Sequence, residues 1–151
     1  MGRNAGWLTA SAALSKGEDC IGPDLIYLPE KVFDVDSFLS SIENLRKNKK
    51  SIVVAVSEGI KLKDGRYVCE LISSQSQFKD SFGHVALGGT AQFLSNTITQ
   101  EFGCKSRAID LNILQRCGSH MVSRVDITEA FVAGGHAVEA SFRGETGKMI
   151  I

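Results

Sequence analysis

The sequence has no Cys-x-x-Cys pair, no Gly-x-Gly triplet, no long apolar run and no net charge, and each absence removes a class of function. Its 17 Lys plus Arg balance 17 Asp plus Glu, so no global field draws it to nucleic acid or to an anionic membrane. No apolar run approaches the roughly 18 residues of a membrane span. The opening Met-Gly-Arg-Asn-Ala-Gly-Trp lacks the apolar core of a secretory signal. Cys20, Cys69, Cys104 and Cys117 are scattered, which fits reduced thiols in the cytosol better than a disulfide framework. No Asn-x-Ser/Thr sequon is present, in keeping with a cytoplasmic location.

Two phosphate loops, a nucleophile elbow and a zinc-ligand set are also missing. None of the 15 glycines forms the dinucleotide fingerprint. The spacings Gly17 to Gly22 and Gly83 to Gly88 lead into Pro23 and Gly89 rather than Lys, so there is no P-loop. Both absences count against a generic nucleotide-binding α/β domain. There is no Gly-x-Ser-x-Gly elbow. Cys117 and His120 have a ligand-like spacing, but a structural zinc needs four ligands and no second pair accompanies them.

What is present is an alternation of apolar runs and amphipathic stretches in 151 residues, the length of one domain, with 43% hydrophobic and 23% charged residues. Residues 24–28 (DLIYL) and 51–56 (SIVVAV) read as buried strands, and 106–111 (SRAIDL) as a third. Residues 148–151 (KMII) begin another and stop mid-run. Val35, Phe38, Leu39, Ile42 and Leu45 form one helical stripe behind a cap at Asp34. The basic residues Arg46, Lys47, Lys49 and Lys50 close it as a solvated helix end. Leu87, Ala91, Leu94, Ile98 and Phe102 form a second stripe, opened by Gly88-Gly89-Thr90 and closed by Gly103. A last helix is expected from a cap at Asp126 to Gly144. The polar stretch 59–83 is too long for a simple connection and reads as an excursion or mobile loop. Together these predict a three-layer α/β fold, a mostly parallel sheet with helices on both faces, in one module whose two ends look cut.

In such sheets ligands bind beyond the carboxyl ends of the strands. That rule points to Glu58, directly after the second strand, as an acceptor for sugar hydroxyls. Arg107, in or at the edge of the third strand, and Arg116 just past it could hold a phosphoryl group, because guanidinium forks match phosphate oxygens. Arg3 lies close to a helix start. Gly88-Gly89-Thr90 could offer backbone amides to an anion.

The residues 1–9 (MGRNAGWLT) resemble the sugar-phosphate motif of the 6-phosphofructokinases, especially their pyrophosphate-dependent branch. Collinear blocks follow: DLIYLPE (24–30), VAVSEG (54–59), FGHVALGG (82–89), Arg107 with LQRC (114–117), and GETGKM (144–149). The resemblance implies a phosphofructokinase-like fold and phosphoryl transfer to the 1-hydroxyl of fructose 6-phosphate, with magnesium and either pyrophosphate or ATP as donor. It implies that Met1, Gly2 and Arg3 contact the sugar phosphate, with Arg3 an auxiliary group near the transferring phosphoryl. Glu58 would bind sugar hydroxyls, Arg116 the 6-phosphate, and Arg107 a phosphate in a neighbouring subunit's site, which makes a homo-oligomer the expected assembly.

The family's Gly-Gly-Asp donor loop and its Thr-Ile-Asp segment with the catalytic base are not in these residues. The chain is therefore expected to carry the fructose 6-phosphate-binding half, to lack the donor-binding half, and to be inactive alone. The other reading is a non-catalytic sugar-phosphate-binding or regulatory module on the same half-fold. Ile113 stands where relatives carry a phosphate-contacting His or Tyr.

Overall fold

A computed structural model describes residues 4–71, 88–112, 114 and 117–151. The chain divides into two compact units, Met1–Asp110 and Leu111–Ile151.

The first unit is built around a parallel strand pair. Strand β1 (Leu25–Tyr27) and strand β2 (Val54–Val56) pair with Leu25 opposite Val54 and Tyr27 opposite Val56. Parallel neighbours need a crossover, and helix α2 (Val35–Arg46) supplies it. Asp34 caps α2 as its sequence position predicts, its Oδ1 accepting from the Ser37 N–H at 2.8 Å. The α2 stripe delivers Phe38 and Ile42 to the core. Before β1 comes a short helix α1 (Trp7–Ser11), which runs into a 3-10 turn at Ala12–Ser15. Helix α3 (Thr90–Phe102) adds Leu94, and it ends on Gly103 at φ 61°, a left-handed conformation that glycine adopts without a Cβ penalty.

The core is the cluster Phe33, Phe38, Ile42, Ile60, Val68 and Leu94. Tyr27 meets the rings of Phe33 and Phe38 edge-on, with centroids 5.1 and 5.6 Å apart. Such edge-to-face contacts align positive ring edges with negative faces, adding to the burial itself.

Three expectations need correction. The stretch after Gly59 is not a loose excursion in its first part. The chain doubles back there, with Leu62 N–H donating to the Arg66 carbonyl at 2.9 Å around Gly65 (φ 85°). This fold-back makes Ile60 and Val68 fully buried, and a 3-10 turn follows at Val68–Leu71. Residues 72–87 lie outside the described residues. Residues 106–111 are not a strand, nor are 148–151. A strand exists only where a neighbour completes its hydrogen bonds, and among the described residues β1 and β2 form the one sheet. The basic run after α2 is exposed, as its position predicts, and two of its side chains have partners. Arg46 stacks over the Phe102 ring at 4.6 Å, and Lys49 pairs with Asp24.

The third correction falls in the second unit, whose main element is helix α4 (Arg124–Phe142). Its cap is Ser123, whose Oγ accepts from the Asp126 N–H; Asp126 itself lies in the first turn. At the other end Gly144 (φ 73°) closes the helix as its position predicts. Glu145 N–H reaches the Ala140 carbonyl and Gly144 N–H the Ser141 carbonyl, both at 3.0 Å, which satisfies two otherwise orphaned acceptors. All four cysteines are free, with Cys69 buried and Cys20 and Cys117 exposed. No helix among the described residues is long and apolar enough to cross a membrane.

Asp24 gives the fold an acid-sensitive joint. Its side chain is only 6% exposed, pairs with Lys49, and accepts the Val53 N–H at 2.9 Å. The Lys49 hydrogen bond first, and the Val53 N–H second, hold the Asp24 carboxyl below the usual carboxylate range. A carboxyl lowered by folding contributes stability that is present above its unfolded value of about 4 and is lost as pH falls through the folded value. Asp24→Asn is therefore expected to lower Tm at pH 7, with the gap to the unaltered protein narrowing as pH is taken down to 3. A gap constant over that range would show that the charge contributes nothing.

Candidate functional site

The strand-end rule gathers a group of polar residues where β1 and β2 finish. Strand β1 runs on into Leu28, Pro29 and Glu30, and β2 into Ser57, Glu58 and Gly59. Ser57 N–H donates to the Tyr27 carbonyl at 3.0 Å, so the two strand ends stay together one residue past the sheet. The turn that follows is closed by Ile60 N–H on the Ser57 carbonyl.

Glu58 is half-buried and clamped. Its Oε1 accepts the backbone N–H of Thr90 at 2.9 Å, and its own carbonyl accepts the Thr90 hydroxyl at 3.2 Å. Thr90 is the first residue of α3, where backbone amides have no intrahelical partner and the helix dipole favours a carboxylate. At this helix entry, whose amides could have served an outside anion, the Thr90 N–H holds the protein's own carboxylate. A carboxylate has two oxygens and about four acceptor directions, so one bond to Thr90 leaves acceptor capacity for hydroxyl groups.

Cys69 lies at the same helix start. Burial above all pushes its thiol up, the neighbouring Glu58 and Glu70 carboxylates add to this, and a bond with the Gly88 backbone opposes it. A thiol so held is a poor nucleophile, and Cys69 acts here as packing.

A second carboxylate, Glu30, serves the segment that follows the Met-Gly-Arg motif. Its Oε1 accepts the Gly6 N–H at 2.6 Å. Gly6 is buried, and a Cβ built on it would sit 2.6 Å from Glu30 Oε2 and 2.9 Å from Pro29 Cδ. Two residues earlier, Asn4 Oδ1 accepts from the Tyr67 hydroxyl at 3.0 Å, while Lys61 Nζ lies 4.8 Å from the Tyr67 ring centre. The segment 4–6 is therefore tied to the end of β1 and to the fold-back after β2.

Of the residues singled out in the sequence, Glu58 is at the strand end as the rule requires. Arg107 lies exposed beyond α3, in the same unit. Met1, Gly2, Arg3, Ile113 and Arg116 lie outside the described residues. The sequence pattern does not single out Glu30, Gly6 or Tyr67, and it marks Thr90 only as part of the Gly-Gly-Thr helix entry. Glu30 had a usable signal, since it follows β1 as Glu58 follows β2. Among the described residues there is no group of three or more His, Cys, Asp and Glu placed to hold a metal ion.

The sequence profile of the phosphofructokinase family matches residues 1–141. The chain belongs to that family. It is 36% identical over 149 residues to the pyrophosphate–fructose 6-phosphate 1-phosphotransferase of Methylococcus capsulatus, which covers 99% of this chain and 34% of that enzyme. The enzyme of the same name from Halomonas elongata is 35% identical over the same shares of both chains. Among solved structures, the pyrophosphate-dependent phosphofructokinase of Nitrosospira multiformis superposes with a TM-score of 0.60 at 28% identity, over 96% of this chain and 32% of that one. The chain thus spans about a third of the length of the curated relatives it matches. Its α/β architecture is that of the phosphofructokinases, and the clamped Glu58 stands within the residues matched to the family.

Proposed function

We propose that these 151 residues are the fructose 6-phosphate-binding part of a pyrophosphate-dependent 6-phosphofructokinase, acting in glycolysis in the cytoplasm. The reaction moves one phosphoryl group from pyrophosphate to the sugar's 1-hydroxyl, giving fructose 1,6-bisphosphate and phosphate. The names of the relatives support pyrophosphate over ATP as donor. The observation that carries the reading is Glu58, a strand-end carboxylate held by the start of α3 with acceptor capacity to spare.

In this reading Glu58 accepts from sugar hydroxyls, and Arg116 and Arg3 grip phosphate oxygens with Met1 and Gly2 beside them. The exposed Arg107 reaches a phosphate in a second subunit, so the active form is a homo-oligomer. Magnesium would accompany the donor. The described residues of this chain offer it no ligand set, and no step is derived through it. Phosphoryl transfer needs a placed base and a positioned donor, so a polypeptide of these 151 residues alone is a sugar-phosphate binder without turnover.

The test is Arg116→Ala in the native full-length protein. Loss of hydrogen bonds to a charged phosphate is expected to raise the fructose 6-phosphate KM about 10- to 100-fold. An unchanged KM would remove Arg116 from the site.

A further inference from the structure

We propose that Thr90 is a positioning residue for the sugar site, fixing the aim of the Glu58 carboxylate through two hydrogen bonds. The inference rests on the reading of Glu58 as the hydroxyl acceptor. Thr90 is fully buried, and it holds Glu58 at both of its ends. The Thr90 N–H fixes the carboxylate at 2.9 Å, and the Thr90 hydroxyl fixes the Glu58 main chain at 3.2 Å.

The two bonds do different work. A glutamate has three side-chain torsions, so a carboxylate held only at its tip can still swing if its backbone moves. A bond to the carbonyl alone leaves all three torsions free. Taken together, the bonds close a ring between residues 32 apart in sequence and leave the carboxylate little angular freedom. Sugar recognition needs that restriction, because neighbouring hydroxyls discriminate only against an acceptor whose direction is set in advance. The side chain at position 90 must therefore donate a hydrogen bond as well as fill buried space. Valine matches threonine in shape and cannot donate; serine can donate and lacks the methyl.

The experiment compares Thr90→Val, Thr90→Ser, Glu58→Gln and the double variant Thr90→Val/Glu58→Gln in the native full-length protein, reading KM and kcat for fructose 6-phosphate. Thr90→Val is expected to raise KM about three- to tenfold with kcat within about twofold, the size of one lost hydrogen bond. Thr90→Ser is expected to restore KM to within about twofold of the original, since it keeps the donor. In the Glu58→Gln background the Thr90→Val effect should shrink, because both changes disturb one acceptor.

Asp34→Ala provides the structural control. It removes a helix cap far from the sugar in sequence and should lower Tm without moving KM. If Glu58→Gln raises KM and Thr90→Val does not, the role given to Thr90 is wrong while the reading of Glu58 stands. If Glu58→Gln itself leaves KM unchanged, that reading fails and the positioning role falls with it. Should Thr90→Val not fold, a Thr90→Ser protein with KM raised tenfold would overturn the proposal, since its donor is intact.

Discussion

Phe38→Ala is expected to remove about 3–5 kcal/mol of folding stability, a large part of the roughly 5–15 kcal/mol that holds an ordinary domain together. Phe38 is 1% exposed and projects from α2 against Tyr27, the last residue of β1. Its ring lies 5.6 Å from both Tyr27 and Phe33, so truncation removes one corner of a three-ring cluster. Neither neighbour can slide in to fill the space without leaving its own edge contact. Burial also pushes the Tyr27 phenol up, as expected for a ring packed into this cluster. The cavity term therefore adds to the lost burial. Urea unfolding of the native protein and its Phe38→Ala and Phe38→Leu variants measures the effect, with leucine expected to lie between the other two. A loss below about 1 kcal/mol for alanine would show that the cluster can collapse, and that the core's weight lies elsewhere.

The second large effect is expected at Gly6, and it should appear in catalysis before stability. A methyl group at that position would stand 2.6 Å from Glu30 Oε2, 2.9 Å from Pro29 Cδ and 3.0 Å from Leu28 Cδ2. Glu30 could swing aside, but the swing would break its bond to the Gly6 N–H. Pro29 cannot move without carrying the backbone after β1. Relief must come from displacing the segment 4–6, which directly follows Arg3 in the chain. If the proposed function holds, Gly6→Ala in the native full-length protein is expected to lower kcat/KM about 100-fold, the cost of misplacing a substrate contact by about an ångström. Overpacking should cost about 1–3 kcal/mol of stability. Steady-state kinetics beside a thermal melt separates the two. A Gly6→Ala enzyme with kcat/KM within about twofold would mean that this contact does not aim the sugar-phosphate motif.

The sequence discloses what neighbours within a few residues decide. Both stripes in the first unit, the Asp34 cap, and the glycines that end α3 and α4 are local features, and their periodicity or chirality is written into short stretches. The strand cores at Leu25–Tyr27 and Val54–Val56 are legible for the same reason. Residues 106–111 have the composition of a strand, but composition cannot supply the partner that would make one. Of the site, Glu58 is legible because strand-end position is itself a rule. The contacts that shape the site are not, since Gly6 to Glu30, Glu58 to Thr90 and Asn4 to Tyr67 join residues 24, 32 and 63 apart. Nothing in the local pattern around Gly6 tells that a proline ring will pack against it. The roles proposed for Arg3, Arg107 and Arg116 rest on family resemblance, because an arginine in isolation has the same spelling on a bare surface as in a phosphate site.

Asp24 also guards alignment. Its N–H donates to the Val53 carbonyl at 2.7 Å and its carboxylate takes the Val53 N–H, so one residue grasps both polar groups of the position just ahead of β2. The parallel ladder beyond it is only three residues long, too short to choose its own alignment. A slip by a single position would turn Tyr27 and Leu25 to the opposite face and put Glu58 out of reach of Thr90. The Asp24–Val53 clasp acts as a vernier stop: it sets the count of residues from the start of the sheet to Glu58, the acceptor proposed for the sugar, at the opposite end of the strands.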